Sequence, residues 1–432
     1  MKKILLSVIL GLFFTLAKAQ DTNAGVYRFS LGQCLDYALG YNYNRQSLKL
    51  TEDTREETYQ QSKRERLPSL NASSSESLSE SNGNSSWNGN YSLSANVTLY
   101  QGGSITNTIK QNKLRSEQSS YQTLQYENNL IIRIVQAFLT VLGNEELLNY
   151  QKVVVQASEE QWKQGEKQYQ VGKILESDYL LLEAQAANDK NNITDTEINR
   201  GNNMLALKNL LSMRPNEELQ IIYPDTSAIL EMAIFPDKEY VLNHAMQTLP
   251  DIRISDYNIK IAEMGVKLSR ASYFPTVSLN GSIGTGHSND YANFGSQLSD
   301  RLNEQVGISL SIPIFDNSRT KSKVTQSKIA LKQAELDKQQ TELDILQEVA
   351  TNYQNVVSAY NKYQTTTIRQ NAYLKTFEVY RAQFNVGAIT AVELLQQQNN
   401  YISALNDYIQ SKYEFMLKRK ILDVYMGVQV KM

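Results

Sequence analysis

The chain has 432 residues, and 43 Lys plus Arg nearly balance 45 Asp plus Glu for a net charge of −2. Such a balance leaves no basic footprint for a nucleic-acid partner, and the single cysteine, Cys34, excludes an internal disulfide or a cysteine-based metal cluster and reads as a small buried hydrophobe. With only 20 Gly and 7 Pro against 26 Tyr and abundant Ser, Asn and Gln, the composition favours long helices over compact α/β units.

Residues 1–19 read as a secretory signal peptide. Lys2 and Lys3 precede the apolar run Ile4 to Leu16, and Ala17-Lys18-Ala19 supplies the small-x-small cleavage site. The run is too short to span a bilayer. Cleavage removes three lysines and leaves 40 basic against 45 acidic residues. No cysteine follows the site, so no N-terminal lipid anchor is expected. No later segment reads as a transmembrane helix, and an exported chain without one crosses a membrane only as a β-barrel.

Residues 20–212 read as a first structural repeat. After a polar leader (Asp21 to Phe29), Ser30 is an N-cap signal for a helix running to about Arg66. Pro68 opens a hairpin over 69–100, with Ser81 to Gly89 as its loop. Tyr91, Leu93, Ala95, Val97 and Leu99 alternate with Ser92, Ser94, Asn96 and Thr98, a period of two with one apolar face. From Gly103 to Gln168 the pattern is helical, with Ile131, Ile134, Val135, Phe138 and Leu142 at helical spacing, a rod of roughly 100 Å. Val171-Gly172 turns the chain into a return helix from Ser177 to Ser212. Residues 213–236, which hold Pro215, Pro224 and Pro236, read as a connector.

Residues 237–432 repeat the order. Pro275 matches Pro68 at an offset of 207, while Phe315 matches Tyr100 and Phe384-Asn385-Val386-Gly387 matches Tyr169-Gln170-Val171-Gly172 at 215. The second hairpin spans 276–315, its loop (His287 to Glu304) absorbing the difference. Four strands are too few to close, and open edges are not tolerated in hydrocarbon. Two protomers would pool eight strands and three would pool twelve. Tyr100, Phe274 and Phe315 at the helix side, with Trp87, Tyr91, Tyr291 and Phe294 near the loops, are placed as two interfacial girdles.

Duplicated helix–hairpin–helix halves, a proline opening each hairpin, and a Val-Gly tip turn followed by an acidic position resemble the TolC-type outer-membrane efflux protein family across essentially the whole mature chain. The resemblance implies a mostly α fold with a membrane β-barrel. In it a homotrimer pools twelve strands into one barrel, continued into the periplasm by a twelve-helix tube, in contact with outer-membrane lipid. It implies a passive exit duct of a tripartite efflux system, docked to a periplasmic adaptor (membrane fusion) protein and an inner-membrane pump. The same fold serving type I protein secretion, or a non-conducting stalk, are the alternatives.

No cofactor, metal or enzymatic activity is expected. His244 and His287 are far apart in sequence and belong to no triad or ligand set. Gly281-Ser-Ile-Gly284-Thr-Gly286 has the wrong spacing for a dinucleotide turn. The site candidates are the two tips. Glu393 is followed on one polar face by Gln396, Gln397 and Asn400, while Leu394, Tyr401, Leu405 and Tyr408 take another face. Asp178 is followed by Gln185, Asp189 and Asn192. In a trimer each acid becomes a ring of three, a candidate gate that concentrates negative potential. Some relatives carry a basic residue just after the second tip glycine and a second acid one turn beyond the first. Here Ile389 and Gln396 stand there, which leaves a single carboxylate ring. Gly172 and Gly387 are expected to supply positive φ at helix-ending turns. The resemblance makes the tips, with Tyr169, Val171, Gly172, Phe384, Val386 and Gly387, the adaptor contacts.

Overall fold

The computed structural model describes residues 26–81, 84–223, 235–289 and 294–428. The expected signal peptide, Tyr291 and most of the connector's second half lie outside them. The first half comprises β1 (Tyr27–Phe29), α1 (Leu31–Tyr41), α2 (Tyr43–Arg64), β2 (Ser69–Ser81), β3 (Asn84–Gln101), α3 (Ser104–Gln170) and α4 (Glu176–Leu210). After β4 (Leu219–Ile221), the second half comprises α5 (Lys238–Thr248), α6 (Pro250–Ala271), β5 (Thr276–Ser288), α7 (Phe294–Asp300), β6 (Asn303–Ser311), α8 (Arg319–Asn385) and α9 (Ala391–Tyr425). Corresponding helices have identical lengths in the two halves: 11, 22, 67 and 35 residues.

The expected helix from Ser30 to Arg66 is two helices. Ser30 caps α1 through a capping box with Gln33, whose side-chain oxygen accepts the Ser30 N–H at 2.9 Å. The chain then breaks at Asn42. Its side chain accepts from the Arg45 N–H at 3.0 Å to cap α2, and its amide donates to the Leu210 carbonyl at 2.9 Å. One buried asparagine thus fixes the break and seats the end of α4 beneath the start of α2. Leu249-Pro250 makes the equivalent break between α5 and α6, with proline at the first helical position. The connector is not merely a spacer: β4 pairs in parallel with β1, Leu219 opposite Tyr27, so the leader and the connector form one small sheet at this level.

The long helices lie side by side as one layer. Near the strands the order is α2, α3, α6, α8; towards the tips it is α4, α3, α9, α8. Three apolar cores hold the layer. One gathers Phe138, Ile134 and Leu142 with Cys34 and Leu31, one gathers Phe415 with Val349 and Val356, and one near the tips gathers Leu394, Leu182 and Phe384. Cys34 is fully buried, as its sequence context suggested.

The four long strands form one antiparallel sheet in the order β2-β3-β5-β6, with β2 and β6 as its edges. Three expectations are corrected here. Ser81 and Asn84 to Gly89 are strand and not loop: β2 runs to Ser81 and β3 begins at Asn84, because Ser and Asn keep alternating where the apolar signal fades. The strand at the end of the second hairpin stops at Ser311, short of Ile312, Ile314 and Phe315. The sheet continues past the expected start of the second loop, since His287 pairs with Gly89 in register. That histidine is buried, its Nε2 at 3.1 Å from Glu76 and its ring against Trp87 and Phe294, a structural role.

A β-bulge falls at Leu99: Thr98 pairs with Ser278, but Tyr100 pairs with Val277. Leu99 therefore leaves the apolar series, and the phase shift brings Tyr100 onto that face beside the base of the sheet. Strand then passes to helix through two consecutive left-handed residues. Gly102 and Gly103 have φ of +56° and +81°, and at the same 215 offset Asn317 and Ser318 have φ of +55° and +62°. A serine in this region carries a steric cost of roughly 1–2 kcal/mol. Ser318→Gly is therefore expected to raise the thermal midpoint of the assembled protein by a few degrees, measured by calorimetry; an unchanged or lowered midpoint would contradict the strain.

Candidate functional site

Both tips are built alike. The Gly172 N–H donates to the Tyr169 carbonyl at 2.9 Å and the Lys173 N–H to that of Gln168 at 2.8 Å. The Gly387 N–H donates to Phe384 at 3.0 Å and the Ala388 N–H to Gln383 at 2.9 Å. These paired bonds end α3 and α8 in the Schellman pattern, with φ of +72° at Gly172 and +81° at Gly387. The positive φ expected from the sequence is present at both.

The two turns enclose one cleft of about 420 Å³. Gly172, Lys173, Ile174 and Asp178 line it from one side, and Val386, Gly387, Thr390 and Glu393 from the other. Asp178 and Glu393, separated by more than 200 positions, are thus brought to a single site. Lys173, which the sequence placed only within the tip contact stretch Tyr169 to Leu175 and not beside the acids, lines it too. Its signal was only its place directly after the turn glycine.

Glu393 has a second task inside the chain. Its carboxylate accepts from the Thr390 N–H at 2.8 Å and the Thr390 hydroxyl at 3.0 Å, while its own N–H donates to Thr390 Oγ1, a capping box that starts α9. The Thr390 backbone N–H, then its hydroxyl, hold this carboxyl below its usual range. Repulsion among the three carboxylates of a ring would push the acid pKa upward, and this local stabilisation opposes it. Leu175, the counterpart of Thr390, makes no side-chain cap; Glu176 and Asp178 in the first turn of α4 complement the helix dipole instead.

Gln396 and Gln397 do not line the cleft. Gln396 is exposed one turn further along α9, and Gln397 accepts from the Asn400 amide at 3.3 Å. Leu394, Tyr401 and Leu405 are buried as the face assignment requires. Of the contact candidates, Val171 and Val386 are exposed and Tyr169 stacks on Tyr179 at 5.6 Å. Phe384 is only 1% exposed and belongs to the core beneath the tips, so it is removed from the contact set.

The expected polar face running from Asp178 through Asp189 is also corrected. Asp189 is buried between α3, α4 and α9 and accepts from the Gln185 and Gln398 amides, each at 2.8 Å, and from Ser158 Oγ. Burial raises its pKa, and these three donors oppose the shift. It ties the helices together and is no luminal charge.

A family model described as outer membrane efflux protein matches residues 36–212 and 241–428, one segment in each half. The chain belongs to the outer membrane efflux protein family. Among relatives of this efflux family, it is 22% identical to Outer membrane protein TolC of Vibrio cholerae over 353 residues, 77% of this chain and 78% of that one. Its fold resembles the solved CusC structure (TM-score 0.79, 17% identity, 92% of each chain). It also resembles the open state of the Neisseria gonorrhoeae MtrE outer membrane channel (TM-score 0.74, 20% identity, 92% of this chain and 88% of that one). Members of the family are outer-membrane channels with a long periplasmic helical body. Among the described residues no helix is long and apolar enough to cross a membrane.

Proposed function

We propose that three copies of this chain close into one duct, a twelve-stranded barrel over a twelve-helix tube, that passively conducts substrates out of the cell as the outer-membrane part of a tripartite efflux system. The observation that carries this reading is the pair of open edges. The sheet ends at β2 and β6, and the helix layer ends at α2 and α4 on one side and α8 on the other. On α8, Ile329, Leu336 and Leu343 stand exposed at seven-residue intervals. On the opposite edge Leu50, Ile198 and Leu205 are exposed as well. Edges of this kind are complementary head to tail, and a rotation that closes such contacts generates a ring. The tip turns, with Val171 and Val386 exposed, are the surface offered to a periplasmic adaptor, through which an inner-membrane pump supplies the energy.

In this duct the cleft acids form the periplasmic mouth, and Glu393 gives it a cation preference. The test is single-channel reversal potential in a salt gradient. Glu393→Gln is expected to lower cation preference and weaken block by multivalent cations, with trimer assembly intact, because glutamine also serves in a capping box. The carboxyl is held below its usual range, so it stays ionised as the solution is acidified. The preference of the parent channel is expected to stay level from neutral pH to about pH 5, and to fall only beneath the ordinary glutamate range. Unchanged selectivity in Glu393→Gln would assign this carboxylate to helix capping alone, and absence of conductance in the parent would favour the stalk.

A further inference from the structure

The strand register sorts every residue of the sheet onto one of two faces. Tyr91, Leu93 and Val97 share a face with Leu279, Ile308 and Leu310 across the paired strands. On the other face, the residues from Ser69 to Ser79 on β2, Ser86 to Thr98 on β3, Thr276 to Ser288 on β5 and Asn303 to Ser311 on β6 are without exception Ser, Thr, Asn, Gln or Gly. Cross-strand hydroxyl contacts confirm the sorting: Ser73 and Ser92 Oγ lie 2.7 Å apart, and Ser79 and Ser86 Oγ 2.6 Å. The carboxylates of the strands, Glu76, Glu80 and Glu304, all fall on the apolar face.

We infer that the barrel stretch of the duct is blind to solute charge, passing cationic, anionic and neutral polar solutes alike, so that charge discrimination is confined to the helical tube and its tips. The inference rests on the reading that the polar face lines the lumen. Raising the local concentration of one ion type requires fixed charge of one sign on the wall, and hydroxyls and amides supply only dipoles that reorient. Around Ser94, at mid-strand, the outward carboxylates are too far to substitute for it. Glu76 pairs with Gly89, five residues from Ser94, about 17 Å along the strand at 3.3–3.4 Å per residue. Glu304 is two strands across from β3, about 10 Å, and on the far side of the sheet. Both distances exceed the Debye length of about 8 Å at physiological ionic strength.

The test is thiol modification of the assembled full-length protein carrying Ser94→Cys. The native background is silent, because Cys34 is fully buried and burial pushes its thiol to about 12. Rates with a cationic and an anionic methanethiosulfonate are each normalised to reaction with a free small thiol. The expected result is modification by both reagents at normalised rates within about threefold, with Val97→Cys on the apolar face unreactive. Electrostatic focusing changes encounter rates by about 10- to 1,000-fold. A normalised ratio of tenfold or more would overturn charge blindness while leaving the lumen assignment standing. Protection of Ser94→Cys from both reagents would instead overturn the assignment of the polar face to the lumen.

Discussion

An arginine at Val97 is expected to keep the chain from assembling in the outer membrane, while an arginine at Asn96 is expected to be tolerated. Val97 pairs with Leu279, and Leu279 with Ile308, in a row of apolar side chains that no second layer of the described residues covers. A guanidinium near the bilayer midplane of a barrel costs about 2–4 kcal/mol on the lipid face, and ring closure imposes that cost once per subunit. Asn96 is the adjacent residue, and alternation turns it to the opposite, polar face, where the charge meets water. The measurement is the yield of membrane-inserted oligomer for the two variants expressed alike. Equal losses at both positions would overturn the division of the sheet into a lipid face and a luminal face.

Gly102→Val is expected to be comparably disruptive for an unrelated reason. A Cβ at Gly102 would stand 2.5 Å from the Ala271 carbonyl oxygen and 2.7 Å from Phe274 Cβ. The residue also has φ of +56°, a region a β-branched side chain strongly resists. The conformational cost is roughly 1–2 kcal/mol, and forcing extra atoms against a backbone oxygen adds about 1–3 kcal/mol. Together they amount to roughly 2–5 kcal/mol at the joint where barrel becomes tube. Thermal unfolding of the purified protein should show a drop of many degrees for Gly102→Val. Gly103→Ala, where an added Cβ meets only the Asn107 amide at 3.7 Å, should lose less. Equal midpoints for the two would remove the close approach as the cause.

Much of this architecture was legible in the sequence wherever a period could run undisturbed. The alternation from Tyr91 to Val97, the stripe through Phe138 and the turn signals Val171-Gly172 and Val386-Gly387 each rest on local chemistry that tertiary packing did not contest. What escaped was decided by partners distant in the chain. The break at Asn42 depends on Leu210 receiving its amide, although Pro250 was a local sign of the matching break. The bulge at Leu99 exists only in the pairing with Val277, so the strand's own pattern ran past it. At the tips Asp178 and Glu393 read from the sequence as separate acids on two helices. That they share a cleft with Lys173, and that Asp189 is an interior tether held by Gln398, became visible only when α9 was laid against α3 and α4.

The open edges of the sheet and of the helix layer have a further consequence, one for genetics. A subunit whose edge is damaged still offers its intact edge to a neighbour, so it can enter a ring that it cannot help to close. If parental and edge-defective copies are made in equal amounts and mix at random, only about one in eight of the proposed three-subunit rings contains no defective copy. A variant at Leu336 or Ile329 that spoils the α8 edge should therefore act dominantly, lowering efflux in cells that still carry the parental gene. A variant such as Val97→Arg, which fails before its edges ever meet a partner, should be recessive.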